Sequence, residues 1–294
     1  MQRINEKIQA GKILVSDGAW GTYLQQKGLS PGECPELWNI EHYDEVLEIA
    51  KSYINAGADM IETNSFGGSR FKLEHYGLER RVFEINKAAA EISRKAAGIE
   101  KHVLGSVGPT GKIVMTGNVT PEELYEAFKE QSIALEEGGA DAIVVETMSD
   151  LEEARQAVKA AKENTGCEVI CTMTFERTVD NDYKSMMGVS PSQMVDEIID
   201  HGVEIIGANC GNGIEGMIQI VKEIRKVNRT IPVLIHANAG IPVFKDGATV
   251  FPETPEQMAG FVNQLIDAGA NIIGGCCGTT PDHIRKVVEI VRAV

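Results

Sequence analysis

The feature that most constrains this chain is a strict alternation that runs its whole length. Eight short runs rich in β-branched residues stand at 12–17, 59–63, 102–107, 141–147, 168–175, 204–209, 232–238 and 271–275. Each is followed by an amphipathic segment of helical period, near 43–56, 79–98, 121–138, 150–164, 191–201, 213–228, 255–268 and 281–293. One strand then one helix, repeated, implies parallel strands joined by right-handed crossovers. Eight such pairs within 294 residues is the size of a closed barrel. The rival architecture, an open doubly wound sheet, would place a G-x-G-x-x-G after its first strand, and no such run stands there. Residues 1–294 are therefore expected to form one α/β domain, a (β/α)8 TIM barrel.

The local punctuation agrees. Thr120-Pro121-Glu122-Glu123, Ser190-Pro191-Ser192-Gln193 and Thr254-Pro255-Glu256-Gln257 each set a hydroxyl N-cap before a proline at the first helical position. Glu or Gln at the third position completes a capping box in all three. Thr280-Pro281 opens the last helix in the same way, without the carboxylate. Gly57-Ala58-Asp59, Gly139-Ala140-Asp141, Gly202-Val203-Glu204 and Gly269-Ala270-Asn271 form a weak repeat that ends a helix and opens strands 2, 4, 6 and 8. Such spacing fits a chain assembled from β-α-β-α units.

The formal net charge of −15 opposes nucleic acid and anionic lipid, so neither is expected as a partner. No apolar run reaches the roughly 18 residues of a membrane-spanning helix. Residues 1–11 are charged and helix-like and lack the apolar core of a signal peptide. A cytoplasmic location is expected, with the six cysteines reduced and free for metals or chemistry.

Barrel enzymes carry their chemistry at the C-terminal ends of the strands. Cys210 stands there on strand 6, and Cys276-Cys277 on strand 8. Alternate strands feed the same interior layer, so these cysteines can meet across strand 7. The adjacent pair must turn its backbone to share one ligand, which Gly274, Gly275 and Gly278 permit. Three thiolates with a fourth position open is the layout of a catalytic zinc site. Buried cysteines also occur as plain core residues, and on spacing alone both readings stand. Cys34, Cys167 and Cys171 read as structural. Asp17 and Glu146 end strands inside an otherwise apolar barrel, where an unpaired carboxylate is costly. They either brace loops or meet a cation such as an amino-acid ammonium, and Glu62 allows the same two readings. Asn209 and Asn238 satisfy backbone groups or face the site. His236, two residues before Asn238, is a hydrogen-bonded core residue or approaches the site. Trp20 and Phe66, in rim loops, close over a ligand or simply pack.

Six ordered motifs resemble the homocysteine S-methyltransferase family: Asp17-Gly18-Ala19-x-Gly21-Thr22, Thr63-Asn64-Ser65-Phe66, Gly105-Ser106-Val107-Gly108-Pro109, Asn209-Cys210, Asn238-Ala239-Gly240 and Gly274-Gly275-Cys276-Cys277-Gly278-Thr279-Thr280-Pro281. The likeness runs from about residue 10 to 293, and the last motif is highly specific. Within the family, Gly67-Gly68-Ser69-Arg70-Phe71-Lys72-Leu73, Gly77-Leu78-Glu79 and Gly108-Pro109-Thr110-Gly111 bring it nearest to the homocysteine-binding barrel of cobalamin-dependent methionine synthases. The resemblance implies that Cys210, Cys276 and Cys277 are zinc ligands. It implies that Asp17 and Glu146 hold the homocysteine amino group, with Thr63 and Ser106 near the amino-acid end. Asn238 matches a position beside the metal that is able to fill the fourth site before substrate arrives. One departure is the loss of the proline usual before Asn-Ala-Gly, replaced by Ala237.

The expected reaction is zinc-dependent transfer of a methyl group to the homocysteine thiol, giving methionine. No residue beyond the metal site is expected to act as a catalytic acid or base. Because the nearest likeness is to the corrinoid enzymes, the resemblance implies a methylated corrinoid as donor. Since the chain stops at Val294, directly after the eighth helical segment, that donor is expected on a separate protein. The alternatives are a small sulfonium or betaine donor, a different thiol acceptor such as coenzyme M, a redox barrel with a vicinal Cys276–Cys277 disulfide, and a non-catalytic zinc-braced binding module.

Overall fold

The structure is a computed structural model that describes residues 1–245 and 248–293. The single-domain reading also takes in Asp246, Gly247 and Val294, which lie outside the described residues. Eight parallel strands form one sheet: β1 (Leu14–Val15), β2 (Met60–Glu62), β3 (His102–Val107), β4 (Ala142–Met148), β5 (Glu168–Met173), β6 (Ile205–Gly213), β7 (Val233–Asn238) and β8 (Ile272–Gly275). They pair in the order β1-β8-β7-β6-β5-β4-β3-β2. The remaining seam, between β1 and β2, is closed through carboxylates. Asp59 donates its N–H to the Val15 carbonyl at 2.7 Å, Val15 N–H returns a bond to Asp59 Oδ2 at 2.9 Å, and Glu62 N–H donates to Asp17 Oδ2 at 3.0 Å. The architecture is the (β/α)8 barrel that the alternation implies.

The outer ring is α1 (Tyr43–Asn55), α2 (Val82–Ala97), α3 (Pro121–Glu137), α4 (Leu151–Asn164), α5 (Pro191–Ile198), α6 (Ile214–Val227), α7 in two pieces (Pro255–Ala259 and Val262–Ala268) and α8 (Pro281–Val291). The expected capping boxes at Thr120, Ser190 and Thr254 are all formed. At Thr280 an imidazole replaces the missing carboxylate: His283 Nδ1 accepts from the Thr280 N–H at 3.2 Å. The expected continuous helix 255–268 breaks at Gly260-Phe261, where a glycine weakens the helix interior. Two antiparallel hairpins were not legible: Glu176–Arg177 with Tyr183–Lys184 after β5, and Val243–Lys245 with Ala248–Val250 after β7. Their strands of two or three residues are too short to carry an alternation.

The repeat noted before the even strands has a structural meaning. Gly57, Gly139, Gly202 and Gly269 all have positive φ, as left-handed helix stops require. The polar residue two positions later then reaches back to the preceding odd strand. Asp59 accepts from Val15 N–H, Asp141 from Val103 N–H at 2.8 Å, Glu204 from Val169 N–H at 2.8 Å, and Asn271 from Val233 N–H at 2.9 Å. Four equivalent stitches thus lock the strands pairwise at the bottom of the barrel.

The interior changes character as the strands rise, because side chains two residues apart share a face. The lower layer is apolar, with Leu14, Met60, Leu104, Ile170, Leu234 and Ile272 facing one another. Below it, the N-terminal helix Ile4–Gln9 inserts Ile4 and Ile8 as a plug. That helix is pinned by Glu168, whose carboxylate accepts the N–H groups of Ile4 and Asn5 at 2.7 and 2.9 Å. One step up, the same strands present Ser16, Glu62, Ser106, Thr172 and His236, all buried. The polar layer opens at the C-terminal mouth.

Candidate functional site

Cys210, Cys276 and Cys277 converge at that mouth. Their sulfur atoms all lie within 4.8 Å of one another, and among the described residues they are the one such group of metal-ligating side chains. Two backbone turns bring them together. Cys210 adopts a left-handed φ of 59°, rare for a residue with a Cβ. Cys276 follows directly on β8, where its N–H donates to the Ala237 carbonyl at 2.7 Å and its own carbonyl accepts from the Thr279 N–H at 3.1 Å. Gly278 then turns at φ 80°, and a Cβ there would strike the Phe251 side chain at 2.2 Å. The Cys276-Cys277 pair therefore leaves the strand geometry that would send its side chains to opposite faces.

Three sulfurs this close carry their own electrostatics. The Cys210 thiol is held far below the usual range, first by hydrogen bonds from Cys276 and then from Cys277. Cys276 and Cys277 are correspondingly raised, each mainly by its bond to Cys210. One thiolate shared by two thiol donors is what a cation-free cluster can sustain; a bound cation lets all three ionise. Tetrahedral zinc with Zn–S bonds of about 2.3 Å needs sulfurs about 3.8 Å apart. The observed cluster, with all three sulfurs within 4.8 Å of one another, is compact enough for such a site. Asn238 donates its side-chain amide N–H to Cys210, while its Oδ1 is buried without a partner.

The sulfurs share a cavity of about 280 Å³ with Glu62, Glu146, Thr63, Ser106 and His236. Glu146 sits in a network of donors. Ser106 Oγ donates to its Oε1, and Asn209 Nδ2 reaches its Oε2 at 3.3 Å. Asn209 does more than satisfy backbone groups. Its Oδ1 accepts from the Thr147 N–H at 2.8 Å and from Thr172 Oγ1 at 2.7 Å, and its Nδ2 donates to Thr147 Oγ1 at 2.6 Å. It thereby clamps Thr147 at φ 60° and ties the end of β4 to the turn that carries Cys210. Thr63 Oγ1 accepts from the Ser106 N–H at 3.0 Å and pairs with Ser65 Oγ.

Asp17 lies one step behind this surface and does not line the cavity. Its oxygens accept from Ser16 Oγ at 3.1 Å, Trp20 Nε1 at 2.9 Å and the Glu62 N–H. Burial, and next the charge of Glu62, raise its carboxyl to about 7. Glu146 is raised to about 8 by burial and then by Glu62, and Glu62 to about 8 by burial. Two carboxyl groups in the wall of the cavity and a third behind it make a setting that favours a cation. His236 lines the cavity, and its Nδ1 stands 3.4 Å from Glu62 Oε1 while Nε2 has no partner, so it is not a satisfied core histidine. Trp20 and Phe66 both line the mouth. Cys34, Cys167 and Cys171 are buried away from the cluster, their thiols pushed to about 12 mainly by burial. Glu36 and Thr147 also line the cavity. Neither was foreseen, since Glu36 arrives on a loop of no readable period and Thr147 through its unusual backbone.

The homocysteine S-methyltransferase family model matches residues 14–291. A methionine synthase from Mycobacterium leprae is 32% identical over 96% of this chain. A methionine synthase from Mycobacterium tuberculosis is 31% identical over 98% of it. The chain spans about a quarter of the length of these curated relatives, 24% and 25% respectively. Among solved structures, the metallated form of the homocysteine methyltransferase MmuM from Escherichia coli superposes with a TM-score of 0.79, at 22% identity and over 98% of each chain. Its oxidized form gives 0.76 at 24% identity, over 94% of this chain and 95% of that one. At such identities the likeness concerns the fold.

Proposed function

The chain belongs to the homocysteine S-methyltransferase family of methyltransferases, and from that premise we propose that it methylates the thiol of homocysteine to give methionine. In this reading Cys210, Cys276 and Cys277 hold zinc, and residues 1–294 act as one homocysteine-binding unit. The observation that carries it is the convergence of three sulfurs, from β6 and β8, on a cavity whose other wall is acidic. Zinc so held lowers the pKa of an incoming thiol and keeps it a thiolate at neutral pH. The protein's own residues orient the acceptor. Glu146, fixed by Ser106 and Asn209, faces the amino group, with Asp17 adding negative charge from behind. Thr63 and Ser106 line the amino-acid end, and Asn238 fills the fourth ligand position until the substrate arrives. The sulfur–carbon bond forms as the donor's bond to methyl breaks, and the thiol proton leaves to solvent. Catalysis is then alignment of a preformed nucleophile, without a side-chain acid or base.

The donor in this proposal is a methylated corrinoid presented by a protein partner. The motif likeness to corrinoid enzymes supports it, as do the exposed apolar side chains Phe66, Met115, Ile241 and Phe244 in the segments that follow β2, β3 and β7. No helix among the described residues is long and apolar enough to cross a membrane. The six cysteines are free thiols, as the reducing cytoplasm we assign to the protein would keep them. The test is a donor screen on purified zinc-loaded protein with homocysteine, assayed for methionine by mass spectrometry. Turnover with methylcobalamin or a methylated corrinoid protein is expected. Turnover with S-methylmethionine or glycine betaine, and none with any methylcorrinoid, overturns the donor assignment.

A further inference from the structure

Three carboxylates line the cavity, and two of them are already engaged. Glu36 accepts from the Gly67 N–H at 2.7 Å and from the Cys34 thiol at 3.5 Å. Glu146 is held by Ser106 and Asn209. Glu62 differs: its Oε1 is shut off from solvent and meets no hydrogen-bond donor. Its backbone, in contrast, is fully committed. The N–H donates to Asp17 Oδ2, and the carbonyl accepts from Ser93 Oγ at 2.9 Å. The residue is therefore fixed in place at the end of β2 while its carboxyl end is left without a partner.

A buried carboxylate without donors is costly, and folds rarely keep one unless something arrives to satisfy it. Among the described residues, the basic group that comes within 4 Å is His236 Nδ1, at 3.4 Å from Glu62 Oε1. No hydrogen bond forms across that contact, and the imidazole is itself disfavoured as a cation by burial. Among the described residues, no lysine or arginine lines the pocket. An entering ammonium would find Glu62 on one side and Glu146 on the other, with Asp17 behind.

Resting on the methyl-acceptor reading above, we propose that Glu62 is a specificity-determining residue that contacts the ammonium group of the substrate and selects amino thiols over thiols that lack the amine. Glu146 and Glu62 then grip the ammonium from two strands, β4 and β2, while the sulfur end lies at the cysteine cluster. The selection follows from the mismatch penalty. A thiol without the amine leaves Glu62 buried and unpaired, and sites built to hydrogen-bond a group reject analogues lacking it.

The experiment compares homocysteine with 4-mercaptobutanoate, which is the same acid without the amine. Binding of each to zinc-loaded protein is measured by calorimetry, and methylation of each is measured with the donor that the wild type uses. Wild-type protein should bind homocysteine at least about tenfold more tightly, and Glu62→Gln should remove most of that preference by weakening homocysteine alone. Zinc content and melting temperature of the variant establish that it is folded. A variant in which both thiols weaken together, or in which the preference is unchanged, overturns the proposal. Equal binding of the two thiols by the wild type overturns it without any variant. A wild type that binds homocysteine but never forms methionine instead overturns the catalytic reading, and leaves the selectivity ratio to decide the role of Glu62.

Discussion

Residue by residue, the site is built from atoms that have no other occupation. The three cysteines are not part of the apolar core: each is partly exposed, whereas Cys34, Cys167 and Cys171 are buried. Replacing Cys210 by serine should take bound zinc from about one per chain to none, and methyl transfer should fall by at least about a hundredfold. Metal analysis of the purified variant checks this, and retention of stoichiometric zinc would count against the ligand set. The acidic wall makes a second prediction. Asp17 is raised to about 7 and Glu62 and Glu146 to about 8, so the native protein keeps protons that the unfolded chain has already released. Their contribution to stability is complete below the unfolded carboxyl range and is lost as the pH rises through the folded values. The metal-free protein should therefore melt at progressively lower temperature between about pH 5 and pH 9, and Glu62→Gln should flatten that slope. A melting temperature that rises over this interval in a calorimetric pH series would contradict the assignment.

At the scale of elements, the barrel is held by repeats of one device. Each even strand is preceded by a glycine stop and a polar residue that ties back to the odd strand before it. Asn271→Ala removes the acceptor for the Val233 N–H and for the Arg225 guanidinium, which bonds Asn271 Oδ1 at 3.0 Å. It should lower unfolding stability by about 1–3 kcal/mol in urea titration, with zinc binding unchanged. Much of this scale was legible. All eight strands and all eight outer helices stand where the hydrophobic period put them, because burial of one face leaves a regular trace. Three of the four proline-led helix starts formed the boxes their residues spell out, and the fourth used His283 instead of a carboxylate. The hairpins after β5 and β7 left no trace, since their side chains are largely exposed and no buried face imposes a period. The short length of β1 was also hidden: only Leu14–Val15 pair with β8, and the rest of the run 12–17 turns toward the mouth.

At the scale of the whole molecule, closing the sheet is what turns scattered residues into a site. Cys210 and the Cys276-Cys277 pair are over sixty positions apart in the chain and meet only because β6 and β8 flank β7. Their meeting could be read in advance from strand order. Two things could not: that Asp17 withdraws behind the cavity wall, and that Glu62 lines the cavity in its place. Both depend on how the β1–β2 seam closes through the Asp17 side chain, a tertiary contact with no local signature. The fold thus supplies a rigid apolar base, a layer of polar groups above it, and a thiol cluster at an open mouth. The central claim is that this cluster holds zinc with one position free for the sulfur of the acceptor. Zinc-edge X-ray absorption on the loaded protein, with and without homocysteine, tests it most directly. About three sulfur neighbours and one oxygen or nitrogen are expected before addition, and about four sulfurs after it. An unchanged coordination shell on adding homocysteine would mean that the metal only braces the rim.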